Sequence, residues 1–418
     1  MASTTNPPFS GWEKAGLALQ LTLAAPVQLL YNFGLVVSRA AWRGLPLGDY
    51  AHCGFIRFVL CNASARQVQY LSPPTAAMYE LWINGRRNGK IETGDQVTPD
   101  DAACLAAAGR LQHDVEPLPD GASSLLWLGN RRRATKFVYF LHGGGYTLPI
   151  QPGHLEWCLR AYILAAAGRA RQKNGSPEGE DQQQREDQQQ REEQVAVAVL
   201  QYTLCPGAQY PTQLCQAAAG LAHLLASGIA PGNIVVGGDS AGANLTAQLV
   251  SHLLHPHATA PRIKLAAPLA GVFLVSPWVS ARVDTPSFAE NDGVDMLSAC
   301  YVRSANNHIV GGAARAVFDA EVSRGEGWAM PADVDASWWD RLRDVTPALY
   351  VTVGKHEVLR DQGVVFTEAV RRRNAAVDVR LEVMDSEAHD FILLDGQAKR
   401  DGDPTKRMRA WASSALWP

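Results

Sequence analysis

The sequence predicts an α/β fold with a mostly parallel central sheet flanked by helices, and three observations support this prediction. Short, continuous apolar runs at 137–141 and 195–200 have the length and composition of strands that are buried on both faces. Segments of helical composition separate such runs along the middle of the chain. A third apolar run, at 234–239, leads directly into a glycine-flanked serine and a further helical segment. This alternation predicts parallel strands that are joined by right-handed crossovers.

Composition narrows the classes of protein to which the chain can belong. Of its 418 residues, 47% are apolar, which is ample for a large core, and the formal net charge is −3. This charge provides no basic field for nucleic acid, so we expect no nucleic-acid partner. The seven cysteines are scattered and form no C-x-x-C pair, so neither a zinc site nor a disulfide framework is indicated. We expect no metal and no cofactor.

The N-terminal region, 1–108, contains no chemical motif, and we expect a helical or cap region there. Residues 15–38 contain no charged side chain and are numerous enough for a helix that crosses a bilayer. Four residues interrupt their apolar character: Gln20, Pro26, Gln28 and Asn32. Two interpretations stay open for 15–38, a membrane anchor or interfacial helix and a soluble helix packed over the active site. A membrane anchor would place the protein at the endoplasmic-reticulum membrane, and a soluble helix would place it in the cytoplasm.

Residues 109–418 are predicted to form the α/β domain. Residues 117–133 have the composition of a connector whose arginines lie on a solvated edge. Helices are predicted at 155–167 and 213–227, and further strands at 269–276, 348–353 and 377–384.

Two insertions interrupt this domain. Residues 169–194 consist mostly of Gln, Glu, Arg and Lys, and cannot bury enough apolar area to offset the entropy of ordering. We expect a surface insertion with no role in chemistry. Residues 278–346 contain no predicted strand but several tryptophans, and large insertions at the carboxyl edge of a sheet build lids and substrate pockets. We therefore expect 278–346 to form a cap.

The segment 238–242, Gly-Asp-Ser-Ala-Gly, has the pattern of a nucleophile elbow. The turn from strand to helix is so tight that larger side chains at Gly238 and Gly242 would collide with neighbouring elements. Ser240 would project from the carboxyl edge of the sheet, beside the positive end of a helix dipole. The pattern predicts Ser240 as a nucleophile.

A serine nucleophile needs a base, and the base needs an acid, on loops that follow later strands. His389 follows the last predicted strand and is the predicted base, whereas Glu357 directly follows the strand 348–353 and is the predicted acid. Two competitors lie nearby. Asp361 is one helical turn further on, so we expect it to form a cap or a local ion pair, and we expect His356 to be an exposed loop residue.

Three consecutive glycines follow the strand 137–141, in the sequence His-Gly-Gly-Gly-Tyr. Glycines let neighbouring N–H groups face one point, so Gly144, Gly145 and Ala241 are predicted to form an oxyanion hole with three donors. A phosphate-binding loop is the alternative, but no Lys-Ser or Lys-Thr follows the glycines. We expect Tyr146, which comes directly after them, to line the substrate pocket.

In these motifs the chain resembles the hormone-sensitive-lipase-like branch of the α/β-hydrolases, and within it the fungal steryl acetyl hydrolase and arylacetamide deacetylase group. The resemblance covers about 136–391, and its motifs are 142–146, 202–211, 238–242, 357–361 and His389. It implies an α/β-hydrolase fold in which Ser240 is the nucleophile, Glu357 the acid and His389 the base. The chain departs from the family pattern in the insertion 169–194, and in Thr-Leu-Cys-Pro-Gly-Ala at 203–208, where Arg-Leu-Ala-Pro-Glu is usual.

The sequence therefore predicts a serine carboxylic-ester hydrolase that acts through an acyl-enzyme. The expected substrate is a hydrophobic or bulky small-molecule ester, such as an acetylated sterol or a fungal secondary metabolite. As an alternative, the same three residues could serve acyl transfer or cyclisation of a polyketide-type intermediate. A non-catalytic small-molecule receptor is a third possibility, since the fold also resembles receptors that lost the catalytic histidine, but Ser240, Glu357 and His389 are all present.

Overall fold

The computed structural model describes residues 8–88, 110–163 and 195–418, and the predicted insertion 169–194 lies outside them. The described strands are β1 Val115–Pro117, β2 Ser124–Leu128, β3 Lys136–Leu141, β4 Val195–Gln201, β5 Ile234–Asp239, β6 Gly271–Val275, β7 Ala348–Gly354 and β8 Asp378–Met384. The described helices are α1 Gly11–Leu19, α2 Ala25–Trp42, α3 Leu47–Asn62, α4 Ala65–Leu71, α5 Thr75–Asn88, α6 Pro152–Cys158, α7 Thr212–Ala226, α8 Ser240–Leu254, α9 Pro286–Asn291, α10 Ala299–Val310, α11 Ala313–Ser323, α12 Arg360–Arg373, α13 Phe391–Gln397 and α14 Asp403–Leu416.

The described strands form an eight-stranded sheet in the order β1-β2-β4-β3-β5-β6-β7-β8. All neighbouring pairs from β4 to β8 are parallel, whereas β1–β2 and β2–β4 are antiparallel. The predicted α/β fold with a mostly parallel sheet is confirmed. The predicted strands from 137 onwards also form, with ends that differ by at most two residues from those expected.

The apolar runs form strands because side chains on both faces of the sheet are buried. In β3, Phe137, Tyr139 and Leu141 belong to the hydrophobic core on one face. The alternate residues Val138 and Phe140 belong to the core on the opposite face. A strand covered by helices on both faces has no polar side, which explains the continuous apolar pattern.

The prediction of a connector at 117–133 was wrong, because β2 lies within it. The strand pairs with β4 from Ser124 to Leu128, and its last four residues are buried. Arg131, expected on a solvated edge, instead forms ion pairs with Asp114 and Glu116 and lies over the ring of Trp127. The positive charge of Arg131 therefore stabilises the antiparallel edge of the sheet.

The N-terminal helices α1 and α2 are joined through a π-helical turn, Gln20–Ala24, into a helix that spans Gly11–Trp42. This 32-residue helix is long and apolar enough to cross a membrane by length and composition, and 11% of its most apolar window is buried. Helix α2 packs against α3 through Asn32, Val36 and Ala40, while side chains such as Leu30 are largely exposed.

The segment between β6 and β7 contains α9, α10, α11 and short 3₁₀ turns, and no strand is described within it. Its tryptophans are structural. Trp339 is fully buried, and Trp328 and Trp338 pack against the same core. These three side chains therefore contribute to the core beside the sheet.

Candidate active site

The nucleophile elbow forms where β5 ends and α8 begins. Ser240 is the first residue of α8 and has a φ of 52°, a left-handed conformation that is strained for any residue with a Cβ. A Cβ on either Gly238 or Gly242 would overlap the carbonyl oxygen of Leu141, at the end of β3. The two glycines thus let β3 approach the elbow closely enough to hold this conformation.

The predicted base lies within hydrogen-bond distance of the predicted nucleophile. His389 follows β8, and its Nε2 is 2.8 Å from the Oγ of Ser240. The loop returns across the sheet edge to reach β5, and Ser276, directly after β6, accepts a hydrogen bond from the N–H of Asp390 at 3.0 Å. His389 is buried, as is Ser240 apart from 8% of its surface.

The predicted acid lies behind the base. The Oε2 of Glu357 is 3.3 Å from the Nδ1 of His389, and Glu357 is fully buried. The competing carboxylate, Asp361, is used elsewhere: it accepts a hydrogen bond from the N–H of Ser287 at 2.8 Å and another from Arg360 at 2.9 Å. Of the two carboxylates, only Glu357 is placed to orient the imidazole.

The competing base, His356, points away from Ser240. Its Nδ1 lies 3.1 Å from an Nη1 of Arg43, and its ring contacts that of Tyr50 edge-on. Partial burial and the nearby Arg43 lower its pKa. His356 thus belongs to the contact between the N-terminal helices and the loop after β7.

The electrostatic environment favours the charged form of His389. Burial alone would lower the pKa of this imidazole, but the adjacent carboxylate of Glu357, with the further charges of Asp295 and Asp390, raises the pKa to about 9. A base that becomes protonated during catalysis is stabilised in its protonated form by this arrangement.

The glycine loop after β3 forms a tight turn. Gly144 and Gly145 have φ values of 103° and 60°, and the N–H groups of Thr147 and Leu148 close the turn by donating to the carbonyl of Gly144. Throughout the described chain, the N–H groups of Gly144, Gly145 and Ala241 donate no hydrogen bond to another protein group. All three are therefore available as donors beside Ser240.

A cavity of about 360 Å³ opens above the nucleophile. Gly144, Gly145, Ser240 and His389 lie in its wall. Its other lining residues are mostly apolar and come from α3, from the segment after α9, and from α13; they include Phe55, Ile56, Val59, Leu60, Met296, Leu297, Tyr301 and Leu393. The cavity thus presents an apolar surface to any molecule that reaches the serine.

Tyr146 does not line this cavity, contrary to expectation. Its side chain is fully buried, and its hydroxyl donates a hydrogen bond to Oδ1 of Asn244 on α8 at 2.6 Å. The turn after the glycines directs the Tyr146 side chain into the core, where its hydrogen bond joins the loop to α8.

A second buried polar cluster lies beside the elbow. The Nε2 of His154 is 3.1 Å from Asp239 and 3.8 Å from Asp390, and one ligand atom from each residue lies within 4.8 Å of the others. This spacing could hold a metal ion. Burial lowers the pKa of His154, but Asp239 and Asp390 outweigh that effect and raise the pKa to about 10. A protonated imidazole offers no lone pair to a metal, so an ion pair explains the cluster better.

Two carboxylates near the base, Asp295 and Asp390, were not predicted from the sequence. Asp295 accepts hydrogen bonds from the N–H groups of Val358 and His389, which are far from it in the sequence. Asp390 adopts a left-handed conformation directly after His389. The one available signal was the position of Asp390 next to the predicted base, because no motif marks Asp295.

Comparisons with known proteins agree with this fold. A family model described as an alpha/beta hydrolase fold matches residues 181–393, just over half of the chain. A putative acetyl-hydrolase, LipR, of Mycobacterium tuberculosis is 31% identical over 35% of this chain and 36% of its own length. An acetyl-hydrolase of Streptomyces hygroscopicus is 24% identical over 60% of this chain and 67% of its own length. The chain thus spans about one third to two thirds of the length of the curated relatives that it matches.

Solved structures share the fold at low sequence identity. An esterase of the bacterial hormone-sensitive lipase family superimposes with a TM-score of 0.50 and 22% identity, and the match covers 81% of this chain and 98% of that one. A thermostable esterase from Pseudomonas putida gives a TM-score of 0.53 and 19% identity, with coverages of 82% and 98%. These similarities show that the fold is shared over most of the chain.

Proposed function

The chain belongs to the α/β-hydrolase fold family, and from this we propose that it hydrolyses carboxylic esters by a serine mechanism. One observation carries the proposal. Ser240, His389 and Glu357 form a continuous series of contacts, with 2.8 Å between the first two and 3.3 Å between the last two, at the wall of an apolar cavity. A buried serine, imidazole and carboxylate in this order constitute the machinery of nucleophilic acyl transfer.

In the acylation step, the Oγ of Ser240 attacks the carbonyl carbon of the ester while Nε2 of His389 accepts the hydroxyl proton. The carbonyl oxygen becomes an oxyanion, which accepts hydrogen bonds from the N–H groups of Gly144, Gly145 and Ala241. Collapse of the tetrahedral intermediate breaks the bond to the alcohol oxygen. His389 returns the proton to that oxygen, and the acyl group stays on Ser240.

In the deacylation step, His389 accepts a proton from a water molecule, which attacks the acyl carbon. The second tetrahedral intermediate uses the same three N–H donors, and its collapse releases the carboxylic acid and restores the serine hydroxyl. Glu357 keeps one imidazole orientation through both steps and stabilises the imidazolium that forms in each. No cofactor takes part in this sequence of proton transfers.

For the substrate, we propose an acetyl or other short acyl ester of a bulky apolar alcohol, such as a sterol. The apolar side chains of the cavity support an apolar group, because burying it removes hydrocarbon surface from water. Two of the relatives carry the name acetyl-hydrolase, which supports a short acyl group. The solved esterase of the bacterial hormone-sensitive lipase family has the same fold as this chain, which supports the proposed place of the chain in the hormone-sensitive-lipase-like branch.

The helices around the cavity support the proposal that the N-terminal region and the segment 278–346 act together as a cap over a 109–418 hydrolase domain. Helix α3 supplies one wall, and Met296, Leu297 and Tyr301 supply another.

We also propose that the exposed apolar side of Gly11–Trp42 contacts a lipid surface, because Leu23, Val27 and Leu30 are each about two-thirds exposed or more.

Labelling with a fluorophosphonate probe tests the mechanism. The probe reacts with activated serines, so peptide mapping of the purified protein should find it on Ser240 alone. Ser240→Ala should lose both labelling and hydrolysis of p-nitrophenyl acetate, while the thermal unfolding midpoint stays close to that of the wild type. Ester hydrolysis above background by Ser240→Ala, or a folded wild-type protein that fails to label, would contradict the proposal.

A further inference from the structure

Asp295 connects the two loops that carry the acid and the base. It lies in the segment between α9 and α10 and is fully buried. Its Oδ2 accepts a hydrogen bond from the N–H of Val358 at 2.8 Å, and its Oδ1 accepts one from the N–H of His389 at 3.1 Å. Val358 directly follows Glu357. One carboxylate therefore binds the backbone next to the acid and the backbone of the base itself.

We propose that Asp295 is a positioning residue that fixes the distance between Glu357 and His389. The two residues lie on separate loops, after β7 and after β8, and their side chains meet at 3.3 Å. The two loops also touch through the backbone, where the N–H of His356 donates to the carbonyl oxygen of Glu387 at 3.0 Å. Asp295 adds a shared acceptor next to the acid and at the base itself, which limits how far these two residues can move apart. The role rests on the proposed function, because it concerns the geometry of the proposed triad.

The position of Asp295 is itself held from the N-terminal helices. Arg57 on α3 is almost fully buried, and its guanidinium donates to the carbonyl oxygens of Asp295 and Leu297 at 3.2 and 2.5 Å and pairs with Asp292 at 2.7 Å. The planar guanidinium binds three acceptors of one turn and so fixes its orientation. The carboxylate of Asp295 is thereby directed toward the two loops.

Asn291, at the end of α9, supports the same loop independently. Its side-chain amide donates to the carbonyl oxygens of Lys355 and Glu357, at 3.2 and 2.9 Å. The loop after β7 is therefore bound on its carbonyl side by Asn291 and on its N–H side by Asp295. Asp295, unlike Asn291, also binds the loop after β8, and it does so at the backbone of the base itself.

Asp295 also contributes charge. The titratable groups that face His389 are Glu357, Asp295 and Asp390, and all three raise its pKa. On the other side, Tyr50 and Cys53 of α3 face Asp295, and their own pKa values are raised by burial and by its charge. Loss of the negative charge of Asp295 should consequently lower the pKa of His389.

Asp295→Asn is the discriminating variant, since it preserves shape but removes the charge. An amide has one acceptor oxygen where the carboxylate has two, so either Val358 or His389 loses its hydrogen-bond partner. Asp333→Asn is the matched control. Asp333 is also a largely buried carboxylate in the segment 278–346, where it accepts hydrogen bonds from Ser280 and from the N–H of Ala281, but it touches no proposed triad residue.

The readouts are kcat, KM and the pH dependence of kcat/KM for p-nitrophenyl acetate, together with the rate of fluorophosphonate labelling. For Asp295→Asn we expect kcat and the labelling rate to fall roughly 10- to 100-fold, with KM changed less than about twofold. The ascending limb of kcat/KM should move to lower pH. Asp333→Asn should retain the wild-type kcat and pH profile, even if its unfolding midpoint falls.

Wild-type kcat and an unmoved pH limb in Asp295→Asn, or an equal loss in Asp333→Asn, would overturn the positioning role. If Asp295→Asn does not fold, Asp295→Glu, which keeps the charge but displaces both oxygens, should retain the pH limb and lose kcat. If neither variant folds, Asp295 serves stability alone and the proposal is wrong. A wild-type protein that neither labels nor hydrolyses the ester would instead contradict the proposed function itself.

Discussion

Ser240 shows how the local sequence determines the geometry of a single residue. A left-handed conformation at a residue with a Cβ costs about 1–3 kcal/mol, so it persists only where surrounding contacts enforce it. Here two features hold the residue in place: the close approach of β3, which Gly238 and Gly242 permit, and the contact between its hydroxyl and Nε2 of His389 at 2.8 Å. The strain exposes the hydroxyl at the start of α8 and is thus part of the arrangement of the site.

Glu357 and Asp361 provide a direct comparison between two carboxylates on one short segment. Because Glu357 contacts the imidazole and Asp361 does not, Glu357→Gln should lower kcat by about 10³- to 10⁴-fold, whereas Asp361→Asn should lower it less than about tenfold. Steady-state hydrolysis of p-nitrophenyl acetate measures both. The reverse ranking would show that Asp361 serves as the acid in solution.

Individual residues differ in how far the sequence could predict them. Ser240, Glu357 and His389 each follow directly after a strand, and the parallel sheet brings strand ends to one edge, so their proximity could be anticipated. Asp295 could not be anticipated, because its partners lie 63 and 94 residues away and depend on tertiary packing. Tyr146 was placed wrongly because the direction of its side chain is set by the turn conformation.

At the scale of elements, burial on both faces made the strands of the parallel sheet easy to predict. Strands β1 and β2 were missed for physical reasons. Strand β1 has only three residues, Val115–Pro117, and ends at a proline, which is typical of a sheet edge. Strand β2 lies between turn residues and an arginine run, and the Pro-Asp-Gly turn at 119–121 that joins it to β1 is equally typical of a connector.

A second prediction concerns lipid binding by the exposed side of α2, and the double variant Val27→Asp/Leu30→Asp tests it. Both side chains are about 70% exposed, so charges there should leave folding intact but disfavour burial in lipid. We expect binding to phosphatidylcholine vesicles to weaken at least about tenfold, since burial of each apolar side chain contributes about 1.5–3 kcal/mol. Co-sedimentation with vesicles measures this binding.

The control for this experiment is Val365→Asp, which charges an apolar side chain of similar exposure on α12. It should bind vesicles as the wild type does. Both variants should hydrolyse p-nitrophenyl acetate at the wild-type rate, because the cavity is lined by α3 and not by α2. Unchanged vesicle binding by the double variant would exclude this face as the lipid contact.

At the scale of the whole molecule, the proposed base couples stability to pH. The pKa of His389 is raised from 6.5 to about 9 in the folded state, so its protonated form stabilises the fold below pH 6.5, and this contribution is lost as the pH rises through 9. Activity follows the opposite course, because the base must be neutral. The protein should gain activity and lose stability over the same interval.

Urea unfolding of the wild type and His389→Gln at pH 6.5 and 9.5 measures this coupling. The stability difference between the two proteins should shrink by up to about 3 kcal/mol between these pH values. His356→Gln is the control, because burial and the nearby Arg43 lower the pKa of His356, so its titration is centred below the pH interval tested. A difference that stays constant for His389→Gln would show that this imidazole is neutral in the folded protein.

A Cβ on either glycine of the elbow would overlap the carbonyl oxygen of Leu141, and the loop that carries two of the proposed oxyanion donors begins at the next residue. The spacing between attacking atom and donors is therefore fixed by direct backbone packing that tolerates no added side chain. By contrast, the cavity walls come from separate helices whose side chains can be exchanged. Descendants of this chain should consequently diversify in the esters they accept while their reactive centre stays unchanged.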